Sequence, residues 1–138
     1  MYFTLTKKSL ALIIFITVLS FFILAQFFSV KANSTKLCTN AQRVEFIERL
    51  GVVLQNDEYS KKNVVIPQEF DKVYLKYNQL QLEAGFDLNA YRGKQVEIYT
   101  YRSNDGKLVN LMIHKNILIG GDIADVKVDG QMLSLKGK

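Results

Sequence analysis

Few residues in this chain can carry chemistry, because it holds one histidine and one cysteine. His114 stands beside Lys115 with no second imidazole or thiol to share a metal, and a general base needs a partner that orients the ring. Asp122, Asp125 and Asp129 follow Gly120-Gly121. A calcium loop sets its oxygen ligands at alternating positions, as in Asp-x-Asp-x-Asp-Gly, and spacings of three and four do not supply that frame. Asp129-Gly130 is ordinary turn chemistry. Gly120-Gly121 lacks the Gly-x-x-x-x-Gly-Lys-Ser/Thr continuation of a phosphate loop, which leaves a bend or bulge. Cys38 has no activating base nearby and reads as an idle thiol, with an intermolecular disulfide as the alternative. No metal, no cofactor and no catalytic residue is expected.

The more promising side chains are binding groups. Asp87, Tyr91 and Arg92 lie in one short connector. Asp87 suits a turn cap, and Arg92 suits a pair with Asp87 or with a ligand carboxylate. Phe86 and Leu88 would pin the loop to the core. Tyr99 and Tyr101 fall two apart in a strand pattern and so share a sheet face, fit either for half-burial or for recognition. With Asp122, these residues form the expected binding set: Asp87, Tyr91, Arg92, Tyr99 and Asp122.

Positioning them requires elements, and the periodicity supplies a series. Thr39 or Asn40 caps a helix, with Gln42 in capping-box relation to Thr39, and Val44, Phe46, Ile47 and Leu50 supply its apolar face. Gly51 stops it. Val52 to Leu54 reads as a strand, Asn56-Asp57 as a charged turn, and Asn63 to Ile66 as a second short strand. Pro67 suits the first turn of a helix running from Gln68 to Ala84. From Val96 the period changes to two. Asn104-Asp105-Gly106 is a hairpin signal, and Leu108 to His114 pairs back. Ile117 to Ile119, Ile123 to Val128 and Met132 to Leu135 complete an antiparallel meander. The expected fold is α+β, with both helices covering one face of the sheet.

The amino-terminal quarter is different material. Six of nine Phe lie within the first 28 residues, and every Gly lies at position 51 or later. Residues 9–30 carry no charge and would span about 33 Å as a helix, enough for a hydrocarbon core of about 30 Å. They read as an uncleaved signal anchor, with residues 1–8 as a cytoplasmic tail, 31–39 as a spacer and 40–138 as an extracytoplasmic domain. A cleaved signal peptide cut after Ala32 is the alternative. Lysines on both flanks leave the positive-inside rule without a vote, so orientation rests on the shortness of the leading tail. The net charge of +5 does not mark a nucleic-acid binder. Lys7, Lys8, Lys31 and Lys36 flank the apolar run, and from Asn40 onward fourteen Lys/Arg face thirteen Asp/Glu. No basic face emerges.

Several motifs recur in an order that carries a resemblance. Gly85 to Gly93 reads Gly-Phe-Asp-Leu-Asn-Ala-Tyr-Arg-Gly, and 119–123 reads Ile-Gly-Gly-Asp-Ile. Ile66-Pro67, Phe70-Asp71, Tyr77-Asn78, Tyr99 and Asp129-Gly130 stand around them. Over residues 41–135 this order resembles the bacterial domain of unknown function 4830 family, common in Firmicutes. The resemblance implies a membrane-attached or exported domain with no assigned reaction, and it carries no catalytic residues over.

The expected function is therefore that of a single-pass, membrane-anchored bacterial protein. It would present a non-enzymatic binding domain to another envelope component through the 85–93 connector and an open sheet surface or edge. The alternative is an exported enzyme or small-ligand domain, which requires Arg92, His114 and Asp122 to converge in one pocket.

Overall fold

The computed structural model describes Thr17 and residues 34–127 and 130–136. The expected tail and anchor at 1–8 and 9–30, and Val128 and Asp129, lie outside the described residues, Thr17 excepted. Among the described residues no helix is long and apolar enough to cross a membrane.

The domain is α+β, two helices and a five-stranded antiparallel sheet. In chain order these are α1 (Asn40–Arg49), β1 (Leu54–Val65), α2 (Lys72–Glu83), a 3-10 turn (Leu88–Tyr91), β2 (Gln95–Ser103), β3 (Leu108–His114), β4 (Ile117–Ala124) and β5 (Met132–Ser134). The sheet order is β1-β2-β3-β4-β5, a meander in which β1 and β5 are the edges.

Local chemistry explains most boundaries. The Thr39 hydroxyl accepts the Gln42 N–H at 3.3 Å and Gln42 Oε1 accepts the Thr39 N–H at 3.1 Å, the reciprocal pair that starts α1. Helix α2 begins later than the expected Gln68. Asp71 caps it by accepting the Tyr74 N–H at 2.7 Å, so Pro67 lies ahead of the helix rather than in its first turn. Residues 34–38, expected as spacer, lie against the sheet. The Leu37 N–H donates to the Asn116 carbonyl, Thr35 accepts from Leu118, and Leu37 is a core residue.

Two larger expectations change. The two short strands with a charged turn are one twelve-residue strand, β1, with an irregularity between Leu54 and Tyr59. Asn56 makes that irregularity locally, its side chain accepting the Glu58 N–H at 3.1 Å. The helices also do not share a face. Tyr99, Tyr101, Val109, Leu111 and Ile113 form one side of the central strands and pack with Ile47 and Val44 of α1. Val96, Ile98, Met112 and Ile119 form the other side and pack with Tyr74 and Tyr77 of α2. Each face carries large apolar groups and each needs a cover.

Gly120 and Gly121 sit inside β4 rather than at a break in it. A Cβ on Gly120 would stand 2.8 Å from Gln81 Oε1, and one on Gly121 would collide with the Asn110 carbonyl. The β3–β4 register shifts between Met112↔Gly120 and Ile113↔Leu118, an irregularity at Ile119 beside the glycines that meets the expected bulge, and the pair also lets α2 and β3 approach the β4 backbone closely.

Candidate functional site

The connector is built around Asn78, which stood among the motifs of the sequence without a role. Asn78 on α2, only 4% exposed, donates from Nδ2 to Asp87 Oδ1 at 3.1 Å and accepts the Leu88 N–H at 2.8 Å. Asp87 also accepts the Asn89 N–H at 2.9 Å and the Asn89 side-chain amide at 2.8 Å. The Asn89 N–H, then the Asn78 amide, hold the Asp87 carboxyl below its ordinary range. Arg92 does not pair directly with Asp87; both converge on Asn89. Its Nε and Nη2 donate to Asn89 Oδ1 at 3.1 and 2.8 Å, and its Nη1 donates to the Gln68 carbonyl at 3.2 Å. The guanidinium lies 4.2 Å from the Phe70 ring centre. These groups lock the 3-10 turn to α2 and to the segment before it. Tyr91 meets His114 edge-on at 5.6 Å, and His114 Nδ1 lies 2.9 Å from the Gln95 carbonyl.

On the same face, under α2, lies a polar network. Asp122 is 3% exposed, accepts the Tyr77 hydroxyl at 2.7 Å and accepts the Asn110 amide at 2.9 Å. Thr100 in turn donates to Asn110 Oδ1 at 2.7 Å. Burial raises the Asp122 carboxyl above its ordinary range, against the pull of Asn110 and Tyr77. Burial and the neighbouring carboxylate raise the Tyr77 phenol as well. Gln81, fully buried, accepts the Gly121 N–H at 2.7 Å, while its Nε2 finds no protein partner. Beside Tyr77 an open groove of about 520 Å³ runs between α2 and β5, lined by Val73, Tyr77, Leu80 and Met132 with Lys76 and Glu83.

These pieces do not assemble into one pocket. Asp122 stands opposite Asn110, and His114 lies four residues further along β3, a separation of about 13 Å at strand rise. The Arg92 guanidinium is bound to Asn89, the Gln68 carbonyl and the Phe70 ring. Among the described residues no group of three His, Cys, Asp or Glu stands close enough together to hold a metal ion.

The opposite face holds a cluster centred on Arg43. Arg43 is 4% exposed, donates from Nε to the Tyr101 hydroxyl at 2.8 Å, and lies 3.9 Å from the Tyr99 ring centre and 5.1 Å from that of Tyr59. The Tyr101 hydroxyl donates onward to Asn40 Oδ1 at 2.7 Å. Tyr99 and Tyr101 thus share a face as expected, but α1 covers them. Their cage is already occupied by the chain's own guanidinium. The available signal was Arg43 at a three-four spacing with Ile47 and Leu50, on the apolar side of α1.

Among the described residues, no strand pairs with the outer edge of β1 over Tyr59–Val65, the longer of the two sheet edges. The Ile66 N–H donates to Lys94 O at 3.0 Å, so Ile66 points its backbone groups toward β2. Alternation then turns Val64, Lys62 and Ser60 toward β2, and Val65, Asn63, Lys61 and Tyr59 outward. The other side of the ladder agrees. The Ser103 N–H donates to Lys107 O at 2.9 Å, which points odd residues of β2 at β3 and even ones at β1. Residues 59–63 are all exposed. Lys61 pairs with Glu97, an ion pair that lowers the glutamate's pKa and raises the lysine's. No protein-family model matches the chain, and neither a curated protein nor a solved structure does.

Proposed function

We propose that this chain is a single-pass, membrane-anchored bacterial protein whose extracytoplasmic domain works by recognition, accepting a partner strand along the edge of β1. The observation that carries the reading is the row of outward backbone groups at Tyr59, Lys61, Asn63 and Val65. They stand on a regular, exposed strand segment, and an edge of that kind is a template for strand addition. The committed state of the other candidates supports it. Asp87 and Arg92 brace a turn, Asp122 is buried beneath α2, and Tyr99 and Tyr101 hold Arg43. The catalytic alternative needs Arg92, His114 and Asp122 together, and their placement does not favour it. The anchor rests on the uncharged run at 9–30, and the bacterial family on the motifs at 85–93 and 119–123.

A photo-reactive residue in place of Ser60, combined with impermeant maleimide at the exposed Cys38 in intact cells, tests both halves. The expected result is maleimide labelling of the full-length chain and a discrete photo-adduct that disappears in a Lys61→Pro background. Proline there removes one outward N–H and leaves the ladder with β2 intact. Adducts that persist in Lys61→Pro, or their absence altogether, overturn the edge. Labelling only after lysis overturns the location.

A further inference from the structure

We infer that the strand added to β1 is β1 of a second copy, running antiparallel about a two-fold axis at Ser60; this rests on the edge reading above and names its partner. Two acids, Asp57 and Glu58, precede the centre of the exposed segment, and two bases, Lys61 and Lys62, follow it. Antiparallel self-pairing about Ser60 sets Glu58 of one copy against Lys62 of the other, twice over by symmetry, and sets Asp57 against the neutral Asn63. A parallel arrangement sets like against like.

Strand geometry narrows the register. In a closed two-fold pair each residue must face one on the same side of the pleat, so the axis passes through a residue and not between two. Centred on Ser60, Tyr59 faces Lys61 of the second copy, and Glu58 faces its Lys62. Tyr59 and Lys61 are both outward residues, so the two symmetric Tyr59–Lys61 pairs close four backbone hydrogen bonds. Centring on Lys61 or Lys62 sets that lysine against itself, which is unfavourable for like charges directly opposite. Centring on Tyr59 calls on the Asp57 carbonyl, which already accepts the Asn40 amide at 2.9 Å. Ser60 points its backbone groups toward β2, so across the axis it forms a non-hydrogen-bonded pair with Cα atoms about 4.5 Å apart, within disulfide reach. The two β1 strands then join both sheets into one.

The test uses the full-length chain in native membranes with Cys38→Ser as background. Ser60→Cys should oxidise to a covalent dimer, at least about tenfold more than Lys62→Cys, whose two copies lie about 13 Å apart across the axis. In detergent, Glu58→Lys should weaken dimerisation about tenfold by turning two attractive pairs repulsive, and adding Lys62→Glu should restore it. Equal cross-linking at the two positions, or a double variant no tighter than Glu58→Lys alone, overturns the pairing. The photo-adduct from position 60 separates the two levels. An adduct of twice the chain's mass supports self-pairing. A Lys61→Pro-sensitive adduct of another mass refutes self-pairing and leaves strand addition standing. No sensitive adduct removes both.

Discussion

Lys61 and Lys62 are adjacent, exposed and identical in type, yet proline should separate them sharply. The Lys62 N–H points into the ladder opposite Ile98, whereas the Lys61 N–H points out of the sheet. Lys62→Pro deletes one ladder bond and presses the pyrrolidine ring toward β2. A lost backbone bond is worth about 1 kcal/mol, and the Ile98 carbonyl left without its donor adds about 1–3 kcal/mol, so the expected loss is about 2–4 kcal/mol. Lys61→Pro should match Lys61→Ala, since both lose the surface pair with Glu97 and neither touches the ladder. The chain has seven tyrosines and no tryptophan, so urea unfolding can be followed by tyrosine emission. The Lys62→Pro midpoint should fall by on the order of 1–2 M, with the Lys61 variants together and well above it. Lys61→Pro as damaging as Lys62→Pro would refute the assignment of outward groups. Both the proposed docking edge and its register would fall with it.

Two further perturbations address the buried polar groups. Burial raises the folded-state pKa of Asp122, so its neutral form favours folding fully below the unfolded pKa of about 4, and that contribution is lost as pH rises through the folded value. Asp122→Asn should therefore gain stability relative to the parent at pH 7–8, with the gap closing toward pH 4; a gap that widens on acidification in urea titrations contradicts the sign. On the other face, a double-mutant cycle between Arg43→Met and Tyr101→Phe should show coupling of about 1–2 kcal/mol, since the Nε–hydroxyl bond is charge-assisted and buried. Coupling below about 0.3 kcal/mol would mean the two side chains contribute independently.

Residues whose partners are close in sequence announced themselves, and those completed from afar did not. Thr39 and Gln42 cap each other across three residues, and Asn104 to Gly106 turn the chain between β2 and β3. Both were legible in the sequence. Strand β1 was legible only at its two ends, because its middle is a polar edge that exposes every side chain and so lacks the alternation that marks a strand. The placement of the helices on opposite faces had a visible sign: Val96 and Ile98 on one side of β2, Tyr99 and Tyr101 on the other, both bulky. The buried setting of Arg43 needed Tyr59, Tyr99 and Tyr101 to arrive from two later strands, and no local pattern states that. The Asp87–Arg92 cluster was legible as a group. Its purpose was not, because Asn78, which fixes Asp87, comes from α2, nine residues earlier.

An open edge would ordinarily be a hazard, since backbone bonding accepts any extended chain. Lys61 and Lys62 and the irregularity from Leu54 to Tyr59 are the usual means of blunting one. Here the same lysines act as a filter. Desolvating or crowding two ammonium groups disfavours neutral and basic strands, and leaves the edge open to a strand that brings acids to that height. In the proposed pair, Glu58 of the two-fold mate stands at the height of Lys62. Four backbone bonds and two exposed charge pairs make a weak contact free in solution. With the proposed anchor, confinement of both copies to one membrane would raise their effective concentration and let so short an interface persist. A polar edge, a charge pattern that reads the same through a two-fold axis and the proposed anchor would thus complement one another. Removing the proposed anchor at 9–30 should dissolve the pair while leaving each domain folded, as gel filtration and circular dichroism would show.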